Sequence, residues 1–460
     1  MTRSHPPLGR RTLGLVGLAL TSPLFGCKDF LSVTDPDIIV QANSAASAVS
    51  LHNGAVLRLA QAVSGTQGPD ALFMFGGLLA DEWRSGDTFV QRNNQDQRIW
   101  DPTNTFNAGP FRNLNRVRTQ ARAAIDGLRA YSPTPLTNIG RMFAVTAYVE
   151  VLLGEHYCNG IPLDSVAGTS IAYGNPLSDD SVFALAIAHV DSALTNLAGA
   201  DSASVANFAK VIKGRALVDR ADFVGASAAV AAVPTTYHYD VTHSVNPPAN
   251  VNQINALNNG AKRYTVADTE GVNGLPFVSA RDPRVPTQLG KSTDLIFDSQ
   301  YGFRVLRQGI WGQTGFVKIA TGIEARLIEA EAALQTQDTA TWLSKLNIPR
   351  ADATLLPVPL DTTYRPATGT TLAPLADPGT PTARAKLMFS ERAFWMFSTG
   401  HRLGDMRREV RQYGSFFSVN TVYPIGAWFK GGVFGDAIQM AIPVEEQNNP
   451  NFHGCTDRNP

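Results

Sequence analysis

Ser390-Glu391-Arg392-Ala393-Phe394, then Gly400-His401-Arg402-Leu403-Gly404-Asp405-Met406-Arg407-Arg408, is the stretch on which the reading of this chain turns. Thr382 opens a helix that runs to about Thr399. Gly400 ends it, because glycine enters the left-handed conformation of a helix C-terminus without a steric penalty. His401–Tyr413 makes the next helix. Glu391, Arg392, His401, Arg402, Asp405 and Arg407 interleave both signs of charge across that junction. Perturbed, clustered charges are also found in active sites, but structural ion pairs are common, so we read these six as pairing between helices.

Upstream, the chain reads as helix after helix. Residues 42–64 carry Val49, Val56, Leu59 and Val63 at helical spacing, and 70–80 is short and strongly apolar. Residues 109–130 place Phe111, Leu114, Val117, Ala121, Ala124, Ile125 and Leu128 on one stripe, with Arg112, Arg116, Arg118 and Arg122 outside it. Residues 137–157 and 179–198 are two more amphipathic runs. Residues 203–220 and 222–232 form a helical hairpin in which Asp222 caps the second helix and Pro234 stops it. Gly214, Leu217, Phe223 and Ala226 sit where a tetratricopeptide unit places its small and packing residues, a spacing that generic antiparallel helices also show.

Periodicity is lost over 235–318, where Asn, Gly, Pro and Tyr accumulate, so short extended pieces and loops are expected. Helix returns at 321–335, with Thr321 and Glu324 as a capping-box signature. Residues 349–381, rich in Pro and Thr, read as surface loop, and 414–460 as loop and short strand. The expected class is mostly α, with helix pairs plus a loop-rich region, divided at 1–26, 27–234 and 235–460.

The first division is a secretory signal. Arg3, Arg10 and Arg11 precede the apolar run Leu13–Leu20, and Leu24-Phe25-Gly26-Cys27 closes the segment as a lipobox. The apolar run is too short to span a bilayer. Cys27 is therefore the expected lipid attachment site, and a two- or three-chain anchor holds firmly because each buried methylene adds about 0.8 kcal/mol. The rest of the chain is near neutral: the 460 residues carry 39 basic and 39 acidic side chains, and the signal removes three arginines and no acid. A nucleic-acid partner, which needs a basic face, is not expected. Cys158 and Cys455 remain in an oxidising setting, where they either pair or stay as two thiols. No zinc spacing exists with three cysteines, and neither metal nor cofactor is expected.

The sequence contains no Walker A loop, no G-x-S-x-G elbow and no H-E-x-x-H. Asp81-Glu82 and Asp179-Asp180 read as solvated faces or caps, and His156 and His189 as packing histidines. The aromatics point to binding instead. Trp83 and Trp100 bracket a polar segment that includes Arg84 and Asp87, while Tyr301, Phe303 and Trp311 lie in the glycine-rich middle. Flat rings stack on apolar faces of sugars and peptides while neighbouring polar groups fix orientation. Trp83, Arg84, Asp87, Trp100, Tyr301 and Trp311 are the expected ligand residues.

Several segments resemble the SusD/RagB family of nutrient-binding outer-membrane lipoproteins. Cys27-Lys28-Asp29-Phe30-Leu31 with Asp35-Pro36 is similar to the family's start, and Tyr157 to Leu163 to its aromatic-Gly-x-Pro-Leu turn. Asp282-Pro283-Arg284 and the helix Glu324–Ala332 match shorter elements, and Ile442-Pro443 with Asn449-Pro450-Asn451 the closing segment. The junction quoted first is the most specific. Where the family commonly has an aromatic pair, Leu403-Gly404 stands, which marks a divergent branch. The resemblance implies a helical fold with tetratricopeptide-like pairs. It implies a lipid-tethered lid over a TonB-dependent (SusC-like) outer-membrane barrel, capturing oligosaccharide or peptide without cutting it. A surface hydrolase and a tetratricopeptide-type envelope scaffold are the rival readings.

Overall fold

Local capping chemistry sets where the helices begin. In this computed structural model, which describes residues 41–68, 70–167 and 170–460, the signal segment and Cys27–Pro36 lie outside the described residues. Ser44 caps α1 (Ala45–Val63), and the short apolar α2 (Leu72–Leu79) and α3 (Val90–Asp96) follow. Asn104 caps α4 (Thr105–Tyr131), whose stripe Phe111, Leu114, Val117, Ala121, Ala124 and Leu128 is buried as its spacing predicts. Next come α5 (Leu136–His156), α6 (Asp179–Thr195), α7 (Ser202–Asp219) and α8 (Phe223–Val230). Asp222 accepts a hydrogen bond from the Gly225 amide at 2.9 Å, the expected cap. After the loop-rich middle come α9 (Gly322–Gln335), α10 (Thr339–Ala351), α11 (Pro381–Trp395) and α12 (Arg402–Gln412).

By length and composition α5 would pass for a membrane span, but most of it is buried in the protein core. It packs against α4, α6, α7, α1 and α12, so its apolarity serves burial on all sides. Gly214 on α7 shows why small residues are needed at a helix crossing. A Cβ there would stand 2.4 Å from Val230 on α8 and 3.2 Å from Ile328 on α9. The tetratricopeptide-like pairing of α7 with α8 continues into α9 and α10. A smaller cluster of Ile323, Leu327, Trp342, Leu346 and Met388 fills the space between α9, α10 and α11.

The loop region holds short antiparallel strand pairs. Trp83–Ser85 pairs with Tyr264–Val266, and His238–Val241 with Val317–Thr321. Residues 40–460 make one compact unit, so the middle region is stitched to the helices rather than set apart. Three α-helices lie where no helix was expected: α3, α10 and the four-residue helix Val419–Val422. α3 is Val90 followed by six polar residues, with no stripe, and α10 ends on Pro349-Arg350-Ala351, a proline that masks the pattern.

The charged junction is a buried ion-pair layer. Arg392 and Arg408 both reach Asp405, at 2.9 and 2.6 Å, and hold its carboxyl well below the usual range. Arg402 bridges Asp81 and Glu409, Arg407 reaches Asp179 at 2.6 Å, and Glu391 takes Arg284 at 2.7 Å and Arg350 at 2.9 Å. Removing one partner of such a pair costs about 3–5 kcal/mol, because the other charge stays buried alone. Thr321 caps α9 through the Glu324 amide at 3.0 Å, but the Glu324 carboxylate does not complete the box: it lies 3.1 Å from His401. At Gly404 a Cβ would stand 2.9 Å from the Glu155 side chain, so an aromatic cannot occupy that position here.

Asp81, Glu82 and Asp179 are buried, not solvated, and the cap of α6 is Ser178 rather than either aspartate. Asp81 accepts from the Leu275 amide, and Glu82 from the Ser398 amide at 2.6 Å; burial raises the Glu82 carboxyl to about 8. Cys158 and Cys455 are joined by a disulfide that ties the C-terminal tail to the end of α5.

Candidate functional site

The strand Trp83–Ser85 explains the first sorting of site residues. Side chains alternate across a strand. Trp83 and Ser85 therefore point into the core, and Arg84 points outward. Trp83 is fully buried, packs on Phe397 and Tyr264, and donates its indole N–H to Ser398 Oγ at 2.9 Å. It is a core side chain and does not offer a face to a ligand. Trp100 is half-buried and covered by the Arg458 guanidinium, 4.2 Å from its ring. Trp311 is 7 % exposed and forms the wall of a different cleft.

Arg84, Asp87 and Tyr301 do come together. After Arg84 the chain turns at Gly86, where a Cβ would stand 2.7 Å from the Lys262 carbonyl oxygen. Asp87 is buried and accepts from Arg92 and, at 2.6 Å, from Arg263. Residues 298–303 fold back over this turn. The Asp298 amide donates to the Gly86 carbonyl at 2.8 Å, and Gly302 reverses the chain at φ +69°. Tyr301 and Phe303 project from the loop, 39 % and 40 % exposed, with rings nearly parallel (10°) and 6.3 Å apart.

A third segment, Trp428-Phe429-Lys430, completes the platform. Gly431 and Gly432 both have positive φ, and the Gly431 amide closes the turn on the Trp428 carbonyl at 2.9 Å. Phe429 lies 5.4 Å from Phe303, and the Arg84 guanidinium sits over it at 5.2 Å. Lys430 is buried and binds all three segments: its ammonium donates to the Asp87 carbonyl (2.6 Å), Asn93 Oδ1 (3.1 Å) and Asp298 Oδ2 (3.2 Å). Burial pulls its pKa down. Beneath, Asp96 accepts from the Ser85 amide and from the Trp428 indole N–H, each at 3.0 Å, and burial raises its carboxyl to about 7. Beside the platform, Arg263 stacks on the exposed Phe297 at 3.8 Å.

The result is two exposed rings, Tyr301 and Phe303, continued by the half-buried Phe429 and held from below by buried charges. Arg84 is fixed by Glu270 and by the Asp268 carbonyl at 3.1 Å, so its plane is set before any ligand arrives. Such a surface stacks flat apolar faces and offers guanidinium N–H donors at the edge. Phe429 and Lys430 were not among the expected residues. An aromatic pair followed by Lys-Gly-Gly was the signal available for them. Among the described residues no group of three or more His, Cys, Asp or Glu side chains is arranged to hold a metal.

No family model matches the sequence, and no curated protein matches it. The architecture matches solved structures over nearly its whole length. A SusD-like carbohydrate-binding protein from Bacteroides fragilis superposes at TM-score 0.62 with 14 % identity, covering 89 % of this chain and 99 % of that one. The fold is that of the SusD superfamily. A SusD superfamily protein from Bacteroides thetaiotaomicron superposes at TM-score 0.61 with 12 % identity, over 90 % of this chain and 100 % of that one. A SusD/RagB family protein from the same species superposes at 0.60 with 13 % identity, over 87 % and 94 %. At these identities the SusD-like likeness is one of backbone, and this chain is a divergent carrier of it.

Proposed function

We propose that this chain is a cell-surface lipoprotein that captures oligosaccharide or peptide and delivers it to a TonB-dependent outer-membrane barrel. Residues 1–26 direct export, Cys27 carries the lipid, and 27–234 and 235–460 are the two halves of the receptor. The observation that carries the reading is the Tyr301–Phe303–Phe429 row, with Tyr301 and Phe303 exposed, Phe429 half-buried, and the row braced by Lys430 and Arg84. Rings held rigid lose little entropy on stacking, so more of the contact energy appears as affinity. The SusD-like fold and the carbohydrate binding named for the Bacteroides fragilis structure favour a glycan as the first ligand class to try. Nothing in the platform requires turnover.

The test is calorimetry with a panel of neutral and acidic oligosaccharides and short peptides. A ligand that binds saturably should lose at least about 1 kcal/mol with Tyr301→Ala and again with Phe303→Ala. Affinity untouched by both substitutions would remove the platform from the site. Release of shorter products from a bound glycan would favour the hydrolase instead.

A further inference from the structure

Trp311 and Tyr301, both expected among the ligand residues, lie apart in the structure. Trp311 walls a cleft of about 380 Å³ that shares no residue with the ring platform. Four segments frame it: residues 310–316, the strand Val317–Thr321 with the start of α9, the turn at 355–358, and residues 394–399 at and beyond the end of α11. Ile319, Leu356, Met396 and Phe397 line it, with Phe316 and Val358 exposed at the rim. Small-molecule sites occupy about 300–1,000 Å³ and are mostly apolar with a few polar groups.

The charged groups in its walls are Arg284, Lys318, Glu324 and His401. Arg284 is committed to Asp282 and Glu391. Glu324 is committed to His401 and is held below its ordinary pKa by that imidazole together with Arg215 and Arg392. Lys318 is different. Among the described residues its ammonium makes no hydrogen bond or ion pair. Asp240, opposite it in the strand ladder, gives its carboxylate to His238 Nδ1 at 2.9 Å. The cleft therefore offers apolar walls and a single uncommitted cation.

We propose that this cleft is a second binding site, for a small apolar carboxylate. The carboxylate pairs with Lys318, and an aromatic or branched aliphatic body lies along Trp311 and Phe397. A neutral apolar molecule would leave the ammonium of the half-buried Lys318 with fewer waters and no partner. A phosphate would bring two charges to one donor group. A monoanion with an apolar body satisfies both walls and charge.

The probe is 4-phenylbutyrate, compared with its uncharged amide, titrated by calorimetry into the full chain in detergent near neutral pH. The acid should bind saturably and about tenfold or more tighter than the amide, as a charge-assisted contact in an apolar wall does. Lys318→Met keeps the aliphatic stem and should bring the acid down to the affinity of the amide without changing the amide. Val358→Asp, at an exposed position, should weaken the acid by adding a like charge at the mouth. Equal affinity of acid and amide, an acid affinity unmoved by Lys318→Met, or no saturation by either compound at millimolar concentration would each overturn the proposal.

Discussion

The Lys430 ammonium lies 2.6 Å from the Asp87 carbonyl oxygen, and that bond joins two loops 343 residues apart in sequence. The same nitrogen reaches Asp298, so the ring-bearing loop is held by it as well. One buried cation thus sets the spacing between Phe429 and the Tyr301–Phe303 pair.

Lys430→Met should therefore cost stability and binding together. It leaves the buried Asp298 carboxylate without its cation, a loss of about 3–5 kcal/mol for a broken buried pair. Urea denaturation should show that loss, and affinity for any platform ligand should fall too. Wild-type stability in the variant would mean the three segments are held by something else.

Stability should fall as pH rises from 6.5 to about 8.5. Glu82 is raised to about 8, and Asp96, Glu409 and Glu446 to about 7. A carboxyl raised in the folded state binds its proton more tightly there than in the unfolded chain. Its contribution is complete below its unfolded pKa and is lost as pH climbs through the folded value. His156, lowered to about 4 by burial, works the other way, but only up to 6.5. Denaturation midpoints in that upper window should decline for the wild type and decline less for Glu82→Gln. A flat or rising profile would contradict the burial of these acids.

Gly214→Ala should destabilise, against the helix propensity that favours alanine by about 1 kcal/mol. The added Cβ meets Val230 at 2.4 Å, and overpacking of this kind costs about 1–3 kcal/mol. Val230→Ala should recover part of the loss in the double variant. Additive effects in the cycle would show that the two helices do not touch there.

Cys455→Ser should cost about 2–5 kcal/mol under oxidising conditions, since the bond closes a loop of 297 residues. Urea denaturation with and without reductant would measure it. Identical curves for wild type and variant without reductant would show that the bond does not form in solution.

The helices were legible because their causes are local. The α4 stripe and the caps at Asp222 and Thr321 act within a turn or two of chain, whereas α11 starts under the Thr380 cap and ends at Trp395, before Gly400, where a longer helix was expected. α3 was not legible, because Val90 and six polar residues without a stripe carry no periodic signal. The site was only partly legible. Aromatic residues beside polar ones look alike whether the ring faces core or solvent, so Trp83 and Tyr301 read the same.

The sequence by itself determined a near-neutral, helix-built chain, because composition and periodicity need no partner from elsewhere in the chain. Only the tertiary structure decided which rings face water. Strand alternation turned Trp83 inward, a separate cleft took Trp311, and Lys430 drew Phe429 to Tyr301 across more than a hundred residues. Such contacts are set by packing and buried charge between distant segments, and neither leaves a period in the sequence.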